Sequence, residues 1–222
     1  MDLVLSSGFL AFARHCGFLH AVEDRAVAVE GLCGTSSGAL VGAMWSAGIP
    51  AADIVERLSA RRPLSLVRPS GIPWRGICSL RALVAQLREW LPPTFAELPH
   101  PFAVGVMDAQ RRSLLLSQGP LPEAVAASCA VPYLFTPVAV DGVYYADGGA
   151  VDRLGLEHWT LLRGQRELLV HLVDRSAGAE TKLPAGVPVV RTPRSGASFW
   201  SLGDFAAQVE EARTLALEVL QP

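Results

Sequence analysis

The sequence predicts one α/β domain, with a mainly parallel central sheet and helices on both faces. Three observations lead there. A short apolar strand, Leu3 to Leu5, is followed by a helical pattern and then by a second strand pattern, Val27 to Cys33, which makes a β-α-β unit with parallel strands. Gly34-Thr35-Ser36-Ser37-Gly38 lies between that second strand and a run of helix formers, Ala39 to Trp45. Further strand and helix patterns follow along the 222 residues with no internal repeat, low-complexity tract or linker, so residues 1–222 are read as a single domain.

The elements justify themselves in order. After the turn Ser6-Ser7-Gly8, Ala11 to Glu23 reads as a helix, because Phe12, Cys16, Leu19 and Val22 recur at three- to four-residue spacing. A helix from Ser37 ends near Ala47, where Gly48 is a natural cap and Pro50 opens the next helix, Ala51 to Ala60. Pro63 to Gly76 is irregular, with Leu64, Leu66, Val67, Ile72 and Trp74 among its prolines and glycines; long apolar loops of this kind often line binding sites. Leu80, Leu83, Val84, Leu87, Trp90 and Leu91 form an amphipathic stripe that reads as core. Phe102 to Met107 and Ser113 to Leu116 read as paired strands, and Pro120 to Ala127 as a short helix. Asp141-Gly142 between Val138–Val140 and Val143–Tyr145 is a strong hairpin signal. Glu167 to Val173 and Val187 to Arg191 are further strands, and Asp204 to Leu220 is a closing helix.

Composition narrows the function. Half of the residues are hydrophobic, 18% are charged and the net charge is −2, so no basic field argues for nucleic acid. The four cysteines show no Cys-x-x-Cys and no Cys/His spacing that would hold a metal. No uninterrupted apolar run reaches the length of a membrane span, and no signal-type N-terminus is present. The expected location is the cytoplasm, with peripheral membrane contact compatible with the apolar composition.

A Gly-x-Ser-x-Gly between a strand and a helix is a nucleophile elbow. Gly34 and Gly38 permit a turn too tight for larger side chains, and Ser36 at the apex projects its hydroxyl. The following helix aims its N-terminal N–H groups at the same place. A serine hydroxyl needs a base. Asp147 ends a strand in an apolar neighbourhood and is followed by Gly148 and Gly149, which let the backbone turn and free the carboxylate. Partial burial there would raise its pKa and strengthen it as a base.

With these motifs the chain resembles the patatin-like phospholipases. The elbow Gly34–Gly38, the Asp147-Gly148-Gly149 triplet, the stretch Ala127-Ser128-Cys129-Ala130-Val131-Pro132 and the helix entry His15 to Leu19 carry the resemblance, which runs from about Leu3 to Leu156. It implies a three-layer α/β/α patatin-like fold and a Ser–Asp dyad. Ser36 would be the nucleophile and Asp147 the base, working through an acyl-enzyme without metal or other cofactor. It also implies an oxyanion hole built from backbone N–H groups of Gly8, Phe9 and Leu10. At that loop the sequence departs from the family's Gly-x-Gly-x-x-Gly: Ser7 to Phe12 retains only Gly8, Arg14 is the nearest cation, and Phe9 would be strained at a position needing φ > 0. After the triplet, Asp152-Arg153 stands where the family often has Asp-Asn.

The implied function is a lipid acyl hydrolase of phospholipase A, lysophospholipase or carboxylesterase type. Its substrate would be a phospholipid or other acyl ester, with Leu64 to Trp74 and Tyr133 to Phe135 as candidate acyl-site segments. Two alternatives stay open. One is a non-catalytic lipid- or protein-binding relative. The other is an α/β-hydrolase triad that adds His158 or His171 to Ser36 and Asp147, against which stands the single strand before the elbow strand.

Overall fold

The first crossover follows the sequence reading. β1 (Asp2–Leu5) and β2 (Gly31–Thr35) run parallel, Asp2 opposite Gly31 and Leu5 opposite Gly34, joined by α1 (Phe12–Asp24). The computed structural model describes residues 1–60, 63–71, 73–175 and 183–220. β2 starts later than the Val27 to Cys33 alternation predicts, because Val27 is used to close α1. Ala26 takes φ 48°. Its N–H bonds Glu23 O at 2.9 Å, and the Val27 N–H bonds Val22 O at 3.1 Å, the two bonds of a Schellman cap.

After the elbow come α2 (Ser37–Ser46) and α3 (Ala51–Ser59). The predicted glycine cap is present: Gly48 has φ 84° and bonds Trp45 O at 2.9 Å. The segment read as irregular carries two single 3-10 turns and a small antiparallel ribbon, β3 (Arg68–Pro69) with β4 (Cys78–Ser79). Ile72 lies outside the described residues. Next are α4 (Arg81–Trp90), the antiparallel pair β5 (Phe102–Met107) and β6 (Ser113–Leu116), and α5 (Leu121–Ser128). The hairpin β7 (Val138–Val140) and β8 (Val143–Asp147) turns on Asp141 (φ 48°) and Gly142 (φ 80°), both in the left-handed region. The chain continues through α6 (Leu156–Arg163), β9 (Leu168–Val173), β10 (Val189–Thr192) and α7 (Phe205–Val219).

The main sheet has eight strands in the order β10-β9-β1-β2-β5-β8-β7, with β6 also on β5. The pairs β1/β2, β1/β9, β9/β10 and β2/β5 are parallel, while β5/β8 and β7/β8 are antiparallel. Strand residues alternate between its faces. Leu3, Leu5, Leu32, Val104 and Val106 join the large core beneath α1, α2, α4, α5 and α7. Val4, Cys33, Ala103, Val170 and Leu172 join a smaller core closed by Leu154, Leu156 and Trp159. α6, which the sequence reading missed, therefore supplies the third layer.

The register places the site. On β5, Thr35 of β2 lies opposite Gly105, and Asp147 of β8 lies opposite Val106. β6 overlaps both registers, from Val104 to Met107, and so occupies the other edge. β2 and β8 thus meet end to end along one edge of β5, which brings the residue after Thr35 and the carboxylate of Asp147 to the same point.

Candidate active site

Ser36 sits at that junction with φ 55° and ψ −119°. For a serine this is a strained backbone, of the kind found at functional turns and maintained by surrounding contacts. Those contacts are visible. The Ser36 N–H donates to Ser128 Oγ at 2.8 Å, and Ser128 Oγ donates to Gly105 O at 2.6 Å. The Cys129 thiol bonds Ser36 O at 3.4 Å. Neither Gly34 nor Gly38 needs a positive φ. A Cβ on Gly34 would lie 2.5 Å from Gly38 O, and one on Gly38 would lie 2.6 Å from Leu5 O. The glycines are there for space, so that strand and helix can touch at the turn.

Asp147 is 4% exposed and ends β8. Its N–H donates to Ala130 O at 2.9 Å, and its Oδ1 accepts the Gly149 N–H at 2.8 Å. Burial pushes its pKa up to about 6, against opposing hydrogen bonds from the Ser36 hydroxyl and the Gly149 amide. Gly148 rests on the β5 backbone, where a Cβ would lie 2.6 Å from the Gly105 carbonyl carbon. Gly149 rests on Ser7, its Cβ position 2.6 Å from the Ser7 side chain. The stretch Ala127 to Pro132 has a structural account in these bonds: Ser128 and Cys129 hold Ser36, while Ala130 holds Asp147. Sequence reasoning named that stretch without seeing this role; a serine in an otherwise apolar helix end was the available signal.

Ser36 and Asp147 both face a cavity of about 340 Å³. Gly8, Phe9 and Leu10 line it too, together with Leu40, Leu66, Val67, Leu80, Leu83 and Phe135. Among the described residues the N–H groups of Gly8, Phe9 and Leu10 find no acceptor in the protein. The strain expected at Phe9 falls instead on Leu10, at φ 48°. Gly8 has no positive φ; its missing Cβ makes room, since a Cβ would lie 2.8 Å from that of Ala11.

Leu80 and Leu83 belong to the core as expected and also line the cavity. Other expectations are corrected. Of the two candidate acyl segments, Leu66, Val67 and Phe135 line it, while Trp74 (84% exposed) and Tyr133 (82%) stand outside at the surface. Arg14 points away and pairs with Glu211 of α7. His171 does not reach the cavity. It is buried against His15, Nδ1 to Nδ1 at 2.9 Å, and bonds Thr192 Oγ1 through Nε2 at 3.0 Å. His158 lies on α6, on the other face. Among the described residues no histidine lines the cavity, and no three metal-binding side chains cluster.

Elbow, cavity and sheet define a layered α/β protein with a mostly parallel sheet and a serine at a strand end. A family model, patatin-like phospholipase, matches residues 3–158. The chain belongs to the patatin-like phospholipase family. It is 32% identical over 180 residues to uncharacterized NTE family proteins of Mycobacterium bovis and of two strains of Mycobacterium tuberculosis, covering 79% of this chain and 50% of each relative. The chain thus spans about half the length of the curated relatives it matches. Among solved structures it is similar to VipD from Legionella pneumophila, with TM-score 0.63, 14% identity, and coverage of 99% of this chain and 66% of that one. It is also similar to the type III effector protein ExoU, with TM-score 0.50, 13% identity, and coverage of 99% and 52%. At these identities the two structures speak for the fold alone. No helix of the described residues is long and apolar enough to cross a membrane.

Proposed function

We propose that this chain, taken as one catalytic domain, hydrolyses carboxylic esters of lipids through a Ser36–Asp147 dyad. The observation that carries the reading is the meeting of a strained serine and a buried carboxylate, pKa about 6, at the floor of an apolar cavity. Asp147 is mostly ionised at neutral pH and is a stronger base than an ordinary carboxylate. It takes the Ser36 proton as Oγ attacks the ester carbonyl. The oxyanion forms against the N–H groups of Gly8, Phe9 and Leu10, where each well-aimed donor contributes a factor of about a hundred or more. Collapse breaks the ester C–O bond, and Asp147 returns the proton to the leaving alcohol. Water, deprotonated by Asp147, then releases the fatty acid from the acyl-enzyme.

An acyl ester in a bilayer has to reach this cavity. Phe9, Trp74, Ile77, Tyr133 and Trp200 are all more than half exposed. They connect to the cavity wall through local contacts: Phe9 packs edge-on against Phe199 at 5.2 Å, Trp200 follows Phe199, and the Ile77 N–H bonds Tyr133 O at 3.3 Å beside Phe135. Exposed aromatics of this kind favour the membrane–water interface. The reading therefore includes peripheral contact with a lipid surface through this rim.

The test is hydrolysis of p-nitrophenyl butyrate and of a lysophospholipid by wild type, Ser36→Ala and Asp147→Asn, each checked for folding by circular dichroism. Turnover lost in both folded variants is expected. A folded wild type inactive on both substrates would move the chain to the non-catalytic, lipid-binding reading. Activity that survives Asp147→Asn would remove the dyad.

A further inference from the structure

The loop Ser6 to Ala11 keeps only Gly8 of its family's glycines and lacks the cation, yet its residues line the cavity, so something else must hold it. At its far end Phe9 O accepts the Ser195 hydroxyl at 2.7 Å and Gly8 O accepts the Ala11 N–H at 3.3 Å. The Ser6 N–H bonds His171 O at 3.0 Å, and Ser6 Oγ accepts the Val173 N–H at 2.9 Å. Among the described residues, the hydrogen bonds to Ser7 all come from one residue. Arg153 O accepts the Ser7 N–H at 2.9 Å. The Arg153 guanidinium donates through Nη2 to Ser7 O at 2.7 Å and to Val173 O at 2.5 Å, and through Nε to Ser7 Oγ at 3.4 Å.

We propose that Arg153 is a positioning residue for the oxyanion loop, which it clamps to β9 in place of the missing loop glycines and loop cation. The argument rests on peptide geometry. In a planar trans peptide the C=O and the next N–H point in opposite directions. Fixing Ser7 O on the guanidinium therefore fixes the direction of the Gly8 N–H, a cavity-lining amide with no acceptor in the protein among the described residues. The planar guanidinium suits this task better than a rotating ammonium, because it holds Nη2 on the two carbonyls and Nε on Ser7 Oγ in one fixed plane. Arg153 is itself held. It is 9% exposed and follows Asp152, whose N–H bonds Gly148 O at 2.8 Å and whose carboxylate accepts the Leu154 and Gly155 N–H groups at 3.0 Å. The segment that carries the carboxylate of Asp147 thus also aims the amide opposite it. This gives a physical role to the Asp152-Arg153 departure.

The inference rests on the hydrolase reading for its kinetic test, and a second readout separates the two. Arg153→Met and Arg153→Lys are compared with wild type on p-nitrophenyl butyrate, with thermal melts as a folding control. Hydrogen exchange is followed in the peptide spanning residues 5–11. In Arg153→Met, kcat falls about a hundredfold with KM within threefold, consistent with loss of one aimed donor. Arg153→Lys recovers only part of it, added methylguanidinium raises the rate of Arg153→Met, and the peptide spanning residues 5–11 exchanges faster in the Met variant. A folded Arg153→Met with kcat within threefold of wild type would overturn the proposal. So would a rise in KM at constant kcat, which would make Arg153 a substrate-binding group. If wild type is inactive, the hydrolase reading fails, and the exchange data alone decide: unchanged protection across residues 5–11 overturns the clamp, and faster exchange there upholds it.

Discussion

Ser128 holds Ser36 by its backbone: the hydroxyl of one accepts the amide hydrogen of the other at 2.8 Å, across 92 residues of sequence. The same hydroxyl donates to Gly105 O, so a single oxygen ties the strained elbow to β5. Ser128→Ala leaves a buried carbonyl and the elbow amide without partners. The expected cost is about 1–3 kcal/mol in urea denaturation. Labelling of Ser36 by a fluorophosphonate should slow by roughly tenfold or more, the scale of a misplaced nucleophile. Unchanged labelling in the variant would mean that the elbow keeps its shape without this bond.

Asp147 fixes the sign of two pH effects. As the proposed base it must be ionised, so kcat/KM should rise with pH through an apparent pKa of about 6. Stability runs the other way. The folded pKa lies above the ordinary 3.8, so the native state binds the extra proton between those values, and its stability falls as pH rises from about 4 to about 6. Asp147→Asn should therefore be more stable than wild type at pH 8, by on the order of 1–3 kcal/mol, with the difference shrinking below pH 4. A variant less stable than wild type at pH 8 would contradict the assigned burial penalty.

The His15–His171 pair has the opposite linkage. Burial lowers His15 to about 3 and holds His171 well below its ordinary 6.5. Unfolding then takes up protons below pH 6.5, and the pair's contribution to stability is lost as pH falls from there. Neither imidazole should titrate between pH 5 and 8 when its ring protons are followed by NMR. A midpoint near 6.5 for either would show that the pair is open to water.

Two glycines of equal chemistry should behave unequally. A Cβ on Gly38 would meet the backbone of Leu5 and Ser6 at 2.6 and 2.7 Å, whereas one on Gly196 would meet nothing within 4 Å. Gly38→Ala should cost roughly 3 kcal/mol, or fail to fold, because backbone cannot yield as a side chain can. Gly196→Ala should stay within about 0.5 kcal/mol. Similar melting temperatures for the two would refute the close packing of the end of β1 on α2.

The exposed rim predicts a split between soluble and interfacial substrates. Trp200→Ala combined with Tyr133→Ala should reduce co-sedimentation with phosphatidylcholine–phosphatidylglycerol vesicles severalfold. Turnover of p-nitrophenyl butyrate should hold, since neither side chain lines the cavity. Equal vesicle binding by wild type and variant would leave these aromatics without a membrane role.

Much of this architecture was legible where local chemistry decides it. Gly48, Asp141-Gly142 and the elbow signal their own backbone geometry, and the structure follows them. Ser36 and Asp147, the two residues of the proposed dyad, stood out in the sequence because a serine between glycines and an aspartate before two more are unusual in apolar surroundings. α6 was not legible: it is short, begins at a glycine without a side-chain cap, and exposes Leu161 and Leu162, which blur its period. The start of β2 was hidden because Ala26, not a glycine, takes the left-handed cap. Arg153 was seen only as a departure, since its partners are carbonyls of Ser7 and Val173, and carbonyls leave no mark in a sequence.

The end-to-end meeting of β2 and β8 has a consequence for synthesis. A nascent chain that has emerged only as far as α5 already holds the elbow, but the neighbouring edge positions on β5 are empty. The carboxylate takes its place when the hairpin of β7 and β8 docks, beside a serine half the chain away in sequence. An unfinished or half-folded molecule therefore carries the Ser36 hydroxyl with no carboxylate beside it, and on the proposed mechanism competence to attack an ester waits for that hairpin.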